Sequence, residues 1–200
     1  MSLSAVFAVL SGIVQFLLVI PIIYGIFRGT NKPSTTSTGI WALVGLTLLV
    51  SSYFAGVRTN LPYITAGLLS TGTIFVLSIR YGYRKWSIID PICLILAVTS
   101  LVIWWLTKHA SNAVYLLTLV DWIAIVPVIY KSWLDPETES KLAWEMNFVA
   151  CVLLVLSIRN FNAVTLVVAI TQISHSLIIN GLLRISPHKK LVKILVNETK

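Results

Sequence analysis

Charge is what this sequence has least of. Only 11% of its 200 residues are Asp, Glu, Lys or Arg, 57% are hydrophobic, and the mean hydropathy is +0.89. So few charges cannot cover the outside of a soluble domain of this size, and the surplus apolar surface must face lipid. Acidic residues are scarcer still, 7 against 15 Lys and Arg. None forms a close pair within an apolar stretch, which removes the two-carboxylate route to acid–base chemistry. Zinc-ligand spacing, a Gly-rich phosphate loop and a nucleophile elbow are also missing. The expectation is a protein that is not an enzyme and needs no cofactor or metal. The two cysteines, Cys93 and Cys151, both lie inside apolar stretches, so no disulfide framework is indicated and their expected role is packing.

What the sequence has instead is a succession of apolar runs bounded by charge, Gly or Pro. They fall at Ser4 to Phe27, Ile40 to Val57, Pro62 to Ile79, Ile88 to Thr107, Asn112 to Trp133, Leu142 to Ile158 and Ala163 to Leu183. One membrane crossing takes roughly 20 apolar residues, so the chain holds about seven and leaves no room for a separate soluble domain. The runs lack the alternation of barrel strands, and in lipid each backbone amide must then be paired within its own segment, which means helix. The stretch Met1 to Leu10 has no basic start and its apolar run continues to Phe27. That is long for a signal peptide, and a retained first helix is expected.

The formal charge of +8 would suggest nucleic acid in a soluble protein, but here the basic residues stand in short connections and read as topology signals. Arg58, Lys108 and Arg159 share a side with the amino terminus. The other twelve lie opposite: Arg28, Lys32, Arg80, Arg84, Lys85, Lys131, Lys141, Arg184, Lys189, Lys190, Lys193 and Lys200. The positive-inside rule puts the amino terminus outside and the carboxyl terminus in the cytoplasm of a bacterial-type inner (plasma) membrane. The tail from Pro187 mixes lysines with Leu191, Val192, Ile194 and Leu195, a pattern open to two readings: a segment lying on an anionic leaflet, or a solvated basic tail.

The chain also repeats itself. Residues Gln15 to Tyr24 align without gaps on Asp121 to Tyr130, placing Pro21 over Pro127 and Tyr24 over Tyr130. After a three-residue deletion, Pro33-Ser34-Thr35-Thr36-Ser37 falls over Pro136-Glu137-Thr138-Glu139-Ser140, and a Trp stands eight residues past each of these prolines, Trp41 and Trp144. Apolar similarity is common in membrane proteins, whereas this ordered set of Pro, Tyr, Thr, Ser and Trp indicates duplication of a three-helix unit. An intervening helix must then invert the second unit to give both the same orientation. The expected fold class is all-α integral membrane, seven transmembrane helices in a 3+1+3 arrangement: a first bundle over 1–85, a linker helix over 86–110, a second bundle over 111–185 and a basic tail over 186–200.

The Pro-bearing first helix of each unit, the Pro-x-Thr-x-Ser turn after it and the Trp opening the next helix resemble the SWEET and PQ-loop superfamily. Arg28 to Pro33, Trp41, Ser78 to Gly82, Asp90, Trp104 or Trp105, Asp121 and Pro127 are most similar to uncharacterised bacterial seven-helix members. Ile22 and Val128 stand where the family's Pro-Gln pair has Gln. The resemblance implies a transporter of a small polar solute such as a sugar, with the KDEL receptor as the binding-only branch of the same fold.

Polar groups deep in a span are costly and usually face a bundle interior or a water-filled path. Gln15, Ser70, Thr71, Asp121, Asn147 and Gln172 stand near the middle of their runs, with His175 one turn beyond Gln172. Asp121 leads: a buried carboxylate protonates, pairs across the repeat with Gln15, or meets a cationic solute. His175 either relays protons with Asp121 or packs. Trp122 either stacks on a solute ring or fills the core. Pro21 and Pro127 are the candidate hinges, bending their helices or merely shaping packing. The expected partners are a small-molecule solute, the lipid bilayer and, as an option, further copies of the chain in a homo-oligomer; no nucleic acid is expected.

Overall fold

The computed structural model describes residues 2–54, 61–83, 87–107, 110–159 and 163–198. Arg58, Arg84, Lys85, Lys108 and Lys200, which enter the charge asymmetry, lie outside them. Among the described residues the secondary structure is helical, with no strand. The elements are α1 (Leu3–Leu17), α2 (Val19–Phe27), α3 (Thr35–Phe54), α4 (Leu61–Tyr81), α5 (Ile89–Thr107), α6 (Ala110–Leu134), α7 (Lys141–Ser157) and α8 (Ala163–Glu198), with a 3-10 turn at Pro136–Thr138 before α7.

Among the described residues four stretches are long and apolar enough to cross a membrane: Leu3–Phe27, Leu61–Tyr81, Tyr115–Leu134 and Leu166–Ile185. Thr35–Val50 and Ile89–Thr99 are shorter apolar stretches. Large apolar side chains such as Ile20, Phe27, Val76, Ile79, Ile95 and Ile170 stand exposed on the outer faces of these helices. Together these features are those of a membrane-embedded α-helical protein.

The helix ends depart from the apolar runs for local reasons. The first run divides at Leu18 into α1 and α2. Pro21 has no N–H to offer the carbonyl of Leu17, four residues before it, and α1 ends at that residue. Pro127 stands inside α6 without interrupting it. Helix α3 begins at Thr35, earlier than its apolar run, because the Ser34 hydroxyl accepts the backbone N–H of Ser37 at 3.2 Å as an N-cap. In the matching segment Glu137 occupies the place of Ser34, and the cap passes to Ser140, whose hydroxyl accepts from the N–H of Ala143 at 3.3 Å. The two aligned segments therefore adopt different local structures. Helix α8 runs on beyond the run that ended at Leu183, through Pro187, to Glu198.

The helices pack as a ring. Going round it, α1 meets α4, α4 meets α3, α3 meets α6, α6 meets α8, α8 meets α7, and α7 closes onto α1. Helix α5 lies beside the ring against α6 and α3. Close approach depends on small side chains: a Cβ on Gly12 of α1 would sit 2.9 Å from the carbonyl oxygen of Pro62, at the start of α4. The buried apolar side chains form clusters between ring neighbours, one joining Ile40 and Val44 of α3 to Cys93, Ala97, Val120 and Ala124, another joining Ile125 and Val128 of α6 to Ile179 and Leu183 of α8.

Candidate functional site

Two contacts reach straight across the ring. Tyr63, near the start of α4, directs its hydroxyl to Gln172 Oε1 of the opposite helix α8 at 3.5 Å and to Cys151 Sγ of α7 at 3.7 Å. Trp41 of α3 meets Trp144 of the opposite helix α7 edge-to-face, with centroids 6.4 Å apart. Between these two crossings lies Asp121. Its Oδ2 accepts a hydrogen bond from Gln172 Nε2 at 2.7 Å, and a further side-chain bond links it to Trp41. A carboxyl group on α6 is thus held by side chains from α8 and α3, all three walls of one interior corner.

His175, one turn beyond Gln172 on α8, places Nδ1 at 3.9 Å from Asp121 Oδ2. It is 3% exposed, and its Nε2 has no hydrogen-bond partner among the described residues. Trp122 covers it: the two rings meet edge-to-face at 4.5 Å, and the indole N–H of Trp122 donates to Thr171 Oγ1 at 3.2 Å. The Trp122 ring expected to receive a solute thus packs against His175, and the residue is 37% exposed. A small cavity lies beside Asp121, lined by Val44 and Leu48 of α3, Leu117 and Thr118 of α6, and Thr171 and Gln172 of α8. Its room of about 20 Å³ suits one water molecule.

The other expected site residues are placed elsewhere. Gln15 is buried on α1, but among the described residues its Oε1 has no partner, and Asp121 is held by Gln172 and not by Gln15. Ser70 fastens α4 to α1, donating to the backbone carbonyl of Gln15 at 3.0 Å. Thr71 bonds within its own helix, to Gly67 O at 2.8 Å. Asn147 is half-buried on α7, and no hydrogen bond between described residues joins it to Asp121.

Three contributors escape the sequence reading. Tyr63 sits two residues from a helix start, where an aromatic side chain looks like an interfacial anchor, and only the ring closure brings it inside. Trp41 stands in register with Trp144 in the repeat, a signal for their meeting. Lys131, counted above as a loop charge, is 1% exposed. Its Nζ lies 2.6 Å from Glu139 Oε1 and donates to the carbonyl of Lys32 at 2.6 Å. Opposite charges flanking the 3-10 turn were the available clue.

The arrangement can bind a small polar guest by hydrogen bonds. The spare acceptor at this corner is the remaining capacity of the Asp121 carboxyl. With Nδ1 of His175 carrying its proton toward Asp121, Nε2 is an acceptor too. Among the described residues no Lys or Arg lies at this depth; Lys131, ten residues on along α6, is about 15 Å away. The chain matches no protein-family model, no curated protein and no solved structure.

Proposed function

We propose that the chain is a membrane transporter that moves a small polar solute, a sugar or a similar hydrogen-bond donor, by alternating access to a site around Asp121. Seven helices cross the bilayer with the amino terminus outside and the carboxyl terminus in the cytoplasm. They form two parallel three-helix bundles joined by the inverting helix α5, the arrangement of the SWEET and PQ-loop superfamily. The ring supports this reading. Exchanging α1 with α6, α3 with α7 and α4 with α8 reproduces the same neighbours, and α5 is left outside the exchange. Carrying most weight is one observation: a buried carboxyl bonded by Gln172 and Trp41, from both proposed bundles, where transporters built on repeats hold their cargo.

The test begins with a thermal-shift screen of neutral, cationic and anionic solutes on the purified full-length protein, followed by uptake into proteoliposomes. A solute that raises the melting temperature of the wild type is expected to be taken up saturably. Gln172→Leu should cut that uptake by about tenfold or more, because it strands a buried carboxyl as well as removing a contact. Uptake unaffected by Gln172→Leu would remove Asp121 and its partner from the site.

The approach of His175 to Asp121 favours a second version, a proton-coupled carrier of an amino acid or a vitamin- or nucleoside-like solute. It predicts flux driven by a pH gradient and lost in Asp121→Asn. Flux that ignores the gradient and survives Asp121→Asn sinks it. A peptide receptor of the KDEL-receptor type would need cations inside the bundle, and the buried Lys131 is already paired with Glu139.

A further inference from the structure

We infer that the end of the ring carrying residues 28–34 and 135–140 is bolted shut by the buried Lys131–Glu139 ion pair, and that the site opens toward that end only when this pair breaks. The inference rests on the transport reading for what passes through, while the closure itself stands on contacts independent of it.

Lys131 lies near the end of α6, and its ammonium joins two connections that are remote in the chain. Nζ is 2.6 Å from Glu139 Oε1, just before α7, and donates at 2.6 Å to the carbonyl of Lys32, in the segment between α2 and α3. The same two segments are tied by backbone, Lys32 N–H to Thr138 O at 3.0 Å. Glu139 passes the link inward through its second oxygen, which accepts the indole N–H of Trp144 at 3.1 Å; Trp144 in turn meets Trp41 across the ring. Its backbone carbonyl accepts from Ser176 Oγ at 3.2 Å and Asn180 Nδ2 at 3.0 Å of α8. Tyr83 closes the remaining side, with its hydroxyl donating to Asp135 Oδ2 at 2.5 Å, its N–H to Pro33 O at 2.9 Å, and its ring 5.7 Å from Nζ. Burial and the bond to Asp135 push the Tyr83 hydroxyl above its ordinary value, which keeps it a donor. Glu139, the Lys32 carbonyl and the Tyr83 ring thus surround one ammonium, and Glu139 ties it on through Trp144 to α3 and α8.

A buried ion pair suits a bolt better than a permanent clamp. Its attraction is largely offset by the desolvation of both ions, so the closed pair is near balance with the separated, hydrated ions. If the segments part, Lys131 can extend its stem from the helix end into water, and Glu139 meets water directly. An apolar plug has no such second resting place. Between bolt and site lies one apolar layer, Ile125, Val128, Ile179 and Leu183 with Trp41 and Trp144. When the bolt opens, that layer is what remains to part.

The experiment reads the reactivity of a thiol at Ser176, which is fully buried beneath Trp144. In full-length protein carrying Ser176→Cys and Cys151→Ser, alkylation by N-ethylmaleimide is followed by mass spectrometry, with the native Cys93, buried between α3, α5 and α6, as the internal control. Lys131→Met and Glu139→Gln are each expected to speed labelling at position 176 by about tenfold or more, as loss of one partner strands the other ion, while Cys93 stays slow. Glu139→Gln keeps the side-chain shape and carries the test if Lys131→Met does not fold. Wild-type rates at position 176 in folded variants overturn the inference, as does acceleration of Cys93 in step with it. Failure of both variants to fold assigns the pair to the permanent scaffold and equally overturns it. Labelling that responds as expected stands even where no solute flux is found, so the bolt and the transport reading fail separately.

Discussion

Gly12 and Asp121 show what a single residue decides here. At Gly12 a methyl group would meet the backbone of Pro62 at 2.9–3.0 Å, and backbone cannot yield as a flexible side-chain tip can. Gly12→Ala is expected to lower stability by about 1–3 kcal/mol through overpacking. Gly72→Ala, with nothing within 4 Å of the added methyl, should gain about 0.5–1 kcal/mol of helix preference. Thermal melting of both variants in one detergent checks the contrast. Asp121 was legible in the sequence as the one acid deep in a span, and Gln172 and His175 as polar residues on one later helix. Tyr63 was not, since its place inside follows from ring closure. Lys131 was misread for a different reason: at a span's end a lysine looks the same whether it reaches water or turns inward to a carboxylate.

At the scale of the elements, the paired prolines have separate outcomes. Pro21 coincides with a division of the first helix at Leu18, whereas α6 runs unbroken past Pro127. Pro127→Ala restores a donor to the carbonyl of Ile123 in a helix that already holds its course. It is expected to stabilise the protein by about 1–3 kcal/mol. Pro21→Ala has to rejoin two helix segments whose packing is set around the break, and should gain less. Melting temperatures of the two variants decide it, with an equal gain counting against the distinction. Each apolar run falls on described helix, the first on two, because apolar burial and helical pairing go together. Hydropathy misplaced the start of α3 and the end of α8, since those limits depend on a Ser34 hydroxyl and on tail residues that carry no apolar signal.

For the whole molecule, six of the described helices make a ring, α5 stands beside it and the short α2 lies against α4 and α7, and nothing in the order of the runs states that α1 closes onto α7. The alignment of Gln15 to Tyr24 on Asp121 to Tyr130 sets α1–α2 beside α6 in sequence, but it does not say which residues touch across the centre. The three-to-twelve division of basic residues predicts the sidedness of this ring. Fluorescent protein fused to the carboxyl terminus should fold and fluoresce, while alkaline phosphatase fused there should stay inactive. The reverse pattern would invert the assignment of inside and outside.

Helix α8 does more than complete the ring. It holds Gln172 and His175 at the site and continues without interruption to Glu198, 23 residues past His175 and so about 35 Å farther along one rod. Pro187 within it offers no N–H to the carbonyl of Leu183, so a break in its backbone pairing falls just where the core cluster that packs α8 on α6 ends.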